Sequence, residues 1–504
     1  MKIAVIGSGA AAVGVLRALE EWCVAPDITI IDRGENPLGD FDTNLPPGQL
    51  DRAYLRDLYG YLRRTYGFRF PPPKTNFGLE PARRSVADWG EVWDSRSRGG
   101  LTNFWGASAL PFTDAELRDW PLTARDLAPY YARLVEQIGV CGSDDALSDY
   151  FGQGFVNRPP IHRPWVFGQL EEVINRPFDG EGSYALTAGS SRLAVETRDD
   201  RDNRCIHCGA CMTGCANQAI YSAGNDIGRY QAQGLIRRTI TGKALTVRGA
   251  PPEVVVQKNG AHETVGPFDR VYVAAGCIGS TEIVMRSLDL RDGPLVTDNA
   301  VYTFPILYLG RHCGGPDDDD HYGLTNLLIG CRPSGGDGRF AMIQVYPNID
   351  YLWRYFLPVA LWPIAQPLGR ALRRRLLWGR VFLDEAYSQR YAATMSDDGA
   401  FALRLARPPE PLARIPGLWA SIRRQIGRRG FMLPKVPPVR HATSSHYAAS
   451  LPLGSTHVDG DGRFGPDAYV CDSAVFPDGP AASLTLTIMA LACRIAHRSL
   501  PGVI

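Results

Sequence analysis

Met1-Lys2-Ile3-Ala4-Val5-Ile6-Gly7-Ser8-Gly9-Ala10-Ala11-Ala12-Val13-Gly14-Val15-Leu16 opens the chain. The apolar run to Ile6 reads as a buried parallel strand, and the residues from Val13 onward recur at helical spacing. A second apolar run, Ile28-Thr29-Ile30-Ile31-Asp32, ends in an acid. Strand, glycine-rich turn, helix, strand and acid make up the dinucleotide-binding fingerprint, with Ala12 in the third glycine position. Gly7 permits the tight turn and Gly9 lets the backbone approach a pyrophosphate. That pyrophosphate sits on the helix start, where the N–H groups around Ala10 and Ala11 point. Asp32 accepts hydrogen bonds from the adenosine ribose hydroxyls, and Arg33 beside it belongs to the same site.

Composition bounds the rest. The chain has 504 residues, 45% of them hydrophobic, and a formal net charge of +1. That balance gives no general argument for nucleic-acid binding. A strand that begins at the second residue leaves no room for a leader peptide, so the expectation is a cytoplasmic protein. Eleven cysteines in such a protein do not suggest a disulfide framework.

Four of those cysteines, Cys205, Cys208, Cys211 and Cys215, fall within eleven residues at the spacing C-x2-C-x2-C-x3-C. Thiolates so spaced on a tight loop can converge on one small inorganic core, and this is the run of bacterial ferredoxins with Ala216 in place of their proline. The expectation is an iron–sulfur cluster, 4Fe-4S or 3Fe-4S. Structural zinc and an unmetallated loop remain alternatives.

Residues 351–380 contain six arginines, three tryptophans and no acid, and the apolar run inside them is too short and too proline-broken to span a bilayer. Aromatic residues beside an arginine cluster suit a segment lying on an anionic leaflet, and residues 411–430 repeat the composition. The expectation is peripheral association with the inner face of a membrane; the alternative is an interface or a packed amphipathic helix. Residues 300–350 alternate as strands and predict an antiparallel sheet roofing a substrate cavity.

Several further stretches are similar to one family. Ser97 to Ser108, with Gly99, Gly100, Thr102 and Asn103, resembles the segment that lies along the isoalloxazine in glucose–methanol–choline (GMC) FAD-dependent oxidoreductases. Ala274-Ala275-Gly276-Cys277-Ile278-Gly279-Ser280 resembles the segment that passes the adenine side of the cofactor. His446-Tyr-Ala-Ala449-Ser450 resembles the family's histidine motif, and Tyr469 to Pro477, with Asp472 and Ser473, its last FAD-contacting motif. A helix from Thr485 would then aim its positive end at the flavin, stabilising the reduced anion.

The resemblance implies an α/β fold: a Rossmann-like FAD-binding domain and an antiparallel-sheet substrate domain. The FAD part comprises residues 1–299, with a lid insertion at 35–94 and a cysteine-rich loop at 203–216, and is completed by 441–504; the substrate part is 300–440. It also implies hydride transfer from a CH–OH group to FAD, with His446 as base and Ser483 in the slot where the family places His or Asn. Imidazole suits that role because its ordinary pKa lies near neutrality. The expected substrate is an alcohol-type small molecule or a lipid-like one. The expected acceptor is a one-electron carrier or a quinone, because a cluster near flavin splits two electrons into single steps. The alternatives are a flavin/iron–sulfur reductase of a carbonyl or C=C bond fed by ferredoxin, and an electron carrier without substrate chemistry of its own.

Overall fold

The computed structural model describes residues 1–22, 26–34, 83–87, 90–103, 105–178, 182–209, 211, 215, 217–312, 314–315, 322–335, 340–348, 357, 361, 367–369, 371–441 and 443–501. The expected helix around residues 50–66, the four-acid run at 317–320 and most of the apolar run at 355–368 lie outside them.

The opening apolar run is a strand, Lys2–Ile6, hydrogen-bonded in parallel to Asp27–Asp32 on one side and Arg270–Val273 on the other. The sheet continues to Ala468–Val470 and Arg463–Gly465 at one edge and to Ile236–Thr241 at the other. Its central strands are buried on both faces, which explains why they read as unbroken Ile/Val runs. Between strand and helix, Gly7 has φ +109°, and a Cβ there would stand 2.2 Å from the carbonyl oxygen of Ala274. Only glycine lets the two strand ends cross this closely.

The helix Ala10–Glu21 packs on the final helix, Thr485–Ser499. Gly14 makes the contact close: a Cβ there would lie 2.2 Å from the Met489 carbonyl oxygen. The final helix is thus tied to the fingerprint helix although the two stand at opposite ends of the sequence.

The strand-like alternation of residues 300–350 becomes Val301–Tyr308, Leu327–Pro333 and Ala341–Tyr346. They belong to a seven-stranded antiparallel sheet that also contains Leu376–Phe382, Tyr184–Ser190, Phe431–Met432 and Val439–Arg440. Helices Trp165–Asn175 and Leu418–Ile426 pack on it through a second apolar cluster that includes Phe167, Leu170, Phe304 and Ile422. A six-stranded sheet joins the two parts: Tyr447–Ala448, Asp292–Asp298, Gln389–Met395, Phe401–Arg407, Arg83–Ala87 and Gly90–Trp93.

In the described parts of the arginine- and tryptophan-rich segments several side chains pack internally, and peripheral membrane association is not shown. The end of 351–380 is a sheet strand, with Trp378 buried and its Nε1 donating to Asn348 Oδ1 at 3.3 Å. Arg375 Nη1 donates to the Gly310 carbonyl at 2.7 Å. In residues 411–430, Trp419 packs edge-on against Phe304, and Arg428 donates to the Val173 and Arg176 carbonyls. These cations and rings serve internal packing. Among the described residues no helix is long and apolar enough to cross a membrane. The end of the 35–94 insertion is likewise sheet: its two strands extend the six-stranded sheet, and Trp93 N donates to Tyr447 Oη at 2.8 Å.

Gly14→Ala should push the two helices apart, because the added methyl meets backbone. We expect a loss of about 1–3 kcal/mol, read as a lower denaturant midpoint at unchanged slope.

Candidate active site

A cavity of about 340 Å³ opens at the carboxyl ends of the parallel strands, where the crossing of Gly7 and Ala274 parts the sheet. Three helices begin on it, at Ala10, Cys277 and Thr485, and their N-cap residues are Gly9, Gly276 and Leu484. None of the three has a side-chain cap. The first-turn N–H groups of a helix have no partner within it, so these three starts present donors and partial positive charge to one space. Gly276 carries φ +77°, and a Cβ there would meet nothing within 4 Å; at Gly9 the nearest atom would be 3.8 Å away. The chain leaves room at both positions.

Asp32 lies at one end. Its Oδ2 accepts from Ser8 Oγ at 2.9 Å and its Oδ1 from Gly34 N at 2.6 Å. Burial holds its pKa above the usual carboxylate range, opposed by those donors and by Arg33. Ser8 Oγ also accepts from Gly99 N at 3.0 Å, which ties the turn to the segment at 97–108. Next to this end, Lys243 Nζ meets the buried Glu282 at 2.6 Å. Asp472 lies deeper: Ser280 Oγ donates to it, Ala474 N donates to its Oδ1 at 3.0 Å, and burial raises its pKa to about 6.

At the other end the antiparallel sheet forms the roof. Gln344, Tyr346, Arg380 and Phe382 line it from alternate positions of two paired strands. His446 stacks on Phe382 with ring centroids 5.1 Å apart and an interplanar angle of 21°. Among the described residues its Nδ1 and the hydroxyl of Ser483 are both buried with no hydrogen-bond partner, as are the hydroxyls of Ser97 and Ser108, which also line the cavity. Buried polar groups are rarely left so, and four around one cavity mark a space shaped for a polar ligand.

Gly7, Gly9, Ala10, Ala11, Asp32, Arg33, Gly100, Thr102, Ala275, Gly276, Asp472, Ser473 and Thr485 all line this one cavity, as do His446 and Ser483. Gly99 and Asn103 do not. Asn103 Nδ2 donates to the Arg98 carbonyl at 2.9 Å, and its Oδ1 accepts from Ser222 Oγ at 2.8 Å, so its amide holds the loop. Gly99 lies against Asn103 and the Gly224 backbone. Thr102 Oγ1 is also engaged, donating to the Gly99 carbonyl at 2.6 Å.

His446 departs from the sequence expectation in its acidity. Burial and the nearby Arg380 cation both disfavour imidazolium and bring the pKa down to about 4 rather than near neutrality. Arg380 and Gln344 escaped the sequence reading because their strands looked like surface or generic sheet. Alternation along residues 342–346 and 378–382 is the signal that carried them.

The expected iron–sulfur site at the cysteine run is not shown. Among the described residues no three His, Cys, Asp or Glu side chains are grouped to hold a metal. Cys208 is exposed, whereas Cys211 is buried and accepts from Gly323 N at 3.2 Å. Burial, and after it the neighbouring cysteines of the run, push the thiols of Cys205 and Cys211 up, that of Cys205 to about 12. Cys205, Cys211 and Cys215 pack in an apolar cluster with Tyr322, Leu324 and Tyr346. Cys277, at the cavity turn, is also buried, and burial raises its thiol.

No family model matches the chain. Paromamine 6'-oxidase of Streptomyces fradiae is 31% identical over 180 residues, covering 31% of this chain and 31% of that protein. The 6'''-hydroxyparomomycin C oxidase of Streptomyces lividus is 28% identical over 183 residues, covering 31% and 32%. The chain thus aligns with about a third of the length of these relatives. Pyridoxine 4-oxidase from Mesorbium loti superposes with a TM-score of 0.60 over 99% of this chain and 98% of its own, at 15% identity.

Gly9→Ala separates the cavity from the fold. Its methyl would make only ordinary contacts with the Gly99–Gly100 backbone, so we expect stability within about 0.5 kcal/mol of wild type but a marked fall in copurified flavin, measured by absorbance per chain. The two oxidase relatives support the resemblance to GMC oxidoreductases, and the structural match shows the fold: the chain has the α/β fold of pyridoxine 4-oxidase.

Proposed function

We propose that this chain is an FAD-dependent oxidoreductase that converts the CH–OH group of a small polar alcohol to a carbonyl. The observation that carries the reading is the convergence of three uncapped helix starts with the partnerless His446 and Ser483 on one cavity. The residues fit FAD: Asp32 for the adenosine ribose, the Gly9 and Gly276 helix starts for the pyrophosphate, and the Thr485 helix start and the 97–108 segment for the flavin. Bound there, FAD supplies the acceptor for the hydride that leaves the carbinol carbon.

The chain supplies the rest. His446 takes the hydroxyl proton as the C=O bond forms, and Ser483 hydrogen-bonds the substrate oxygen. The Thr485 helix start puts partial positive charge where negative charge gathers. Phe382 fixes the imidazole plane by stacking. Gln344, Tyr346, Arg380, Thr443 and Ser444 make the His446 end polar, so a lipid-like substrate and a membrane surface are not part of the reading. Oxidation of the alcohol is complete without the cysteine run. A cluster and a one-electron acceptor would concern only where electrons go afterwards, and no step is routed through them. The names of the relatives and of the structural match, all oxidases, favour substrate chemistry over a pure electron carrier.

His446→Gln should retain flavin and lose about 10²–10⁴-fold in kcat, as expected for removal of a general base. With a pKa of about 4, the base is neutral and competent above that pH. The acid limb of kcat/KM in the wild type should therefore fall near pH 4, with a plateau through neutrality. Arg380→Gln removes a cation that disfavours imidazolium, so it should move that limb to higher pH. Unchanged turnover in His446→Gln would remove His446 from the reaction.

A further inference from the structure

The loop that carries His446 is held from beneath by one carboxylate. Asp298 ends the strand Asp292–Asp298 and is fully buried. Its Oδ1 accepts from Ser444 Oγ at 2.6 Å, from Ser444 N at 3.2 Å and from His446 N at 3.3 Å. Its Oδ2 accepts from Gln389 Nε2 at 2.9 Å. Ser444 Oγ in turn accepts from His446 N at 3.1 Å. Between these anchors Ser445 has φ +64°, in the left-handed region that a residue with a side chain adopts only when its surroundings impose it.

We propose that Asp298 is the positioning residue for His446: by gathering the N–H groups of residues 444 and 446 it keeps the intervening Ser445 left-handed and sets where the imidazole stands over the cavity. The inference rests on the catalytic reading of His446 given above. Three features support it. The strand bearing Asp298 pairs with Tyr447–Ala448, directly after the histidine, so carboxylate and loop are fixed to the same sheet. Tyr447 Oη, bonded to Thr443 at 2.8 Å and accepting from Trp93 N at 2.8 Å, anchors both loop ends but leaves the two N–H groups at 444 and 446 to Asp298 and Ser444. Gln389, a further donor to the carboxylate beside Thr443, is itself fully buried, so the support is rigid. A shift of about 1 Å in a reacting group can cost roughly 10²-fold in rate, so such a device acts on turnover more than on binding.

The charge of Asp298 is not what matters, and this makes the proposal testable. Gln389 Oε1 is buried without a hydrogen-bond partner. In Asp298→Asn, a flip of Gln389 would let the new amide donate to its carbonyl, leaving the other oxygen to accept from the loop. Asp298→Ala has no such escape. The experiment compares wild type, Asp298→Asn, Asp298→Ala and Ser444→Ala as flavin-loaded proteins. The readouts are hydrogen exchange of backbone amides 443–447, steady-state kinetics on an alcohol that the wild type turns over, and the solvent isotope effect on kcat.

We expect Asp298→Ala to exchange faster in 443–447 only and to lose on the order of 10²-fold in kcat at near-constant KM. Its solvent isotope effect should rise, because proton transfer to a misplaced imidazole becomes slower. Asp298→Asn should stay within a few-fold of wild type. Ser444→Ala should fall between, and the Asp298→Ala/Ser444→Ala pair should be non-additive. If Asp298→Ala fails to fold, Ser444→Ala and the rescue by Asn decide. Unchanged exchange in 443–447, or a kcat loss in Asp298→Asn equal to that in Asp298→Ala, overturns the proposal. If the wild type oxidises no alcohol, the catalytic reading fails, while the exchange data still report whether Asp298 holds the loop.

Discussion

Helix starts that lack side-chain caps are a deficit most proteins correct locally, with Ser, Thr, Asp or Asn at the N-cap. Here three of them, at Gly9, Gly276 and Leu484, open onto the same crevice. Each presents roughly half a positive charge in unsatisfied N–H groups, so the crevice favours an anionic or strongly accepting ligand. The rest of the architecture keeps the three starts together. Gly7 lets the first strand cross against Ala274, and Gly14 seats the first helix on the last one. Helix starts from the two ends of the chain are thereby brought to one cavity.

The substrate half obeys a different constraint. A histidine that accepts a proton must be aimed within a fraction of an ångström, and loops do not do this unaided. The His446 loop draws its geometry from a sheet strand through Asp298 and from the stacked ring of Phe382. Burial beside Arg380 keeps the imidazole neutral. Such a base is weak but always available across the ordinary pH range.

Much of this was legible in the sequence where local chemistry and function coincide. The fingerprint at 1–32, the Ala275–Gly276 turn and the Asp472–Ser473 segment owe their composition to a backbone that must approach a ligand, so short motifs revealed them. Arg380, Gln344 and Asp298 were not legible, because their roles come from strand pairing between distant segments. The composition of 351–380 is ambiguous for a related reason: arginines and tryptophans that suit a membrane surface suit buried carbonyls and a sheet core equally well, as Arg375 and Trp378 show. The spacing of Cys205 to Cys215 is that of a cluster loop, and in the fold Cys211 is buried and accepts from the Gly323 N–H. Spacing alone does not decide between a cluster and a packed loop.

The most direct measurement is an anaerobic single turnover: purified protein is mixed with a panel of small polar alcohols while the flavin absorbance is followed and carbonyl product is counted. The account predicts that at least one alcohol bleaches the flavin with one carbonyl formed per flavin. Protein that carries no flavin, or flavin that no alcohol bleaches while an external electron donor does, would contradict it.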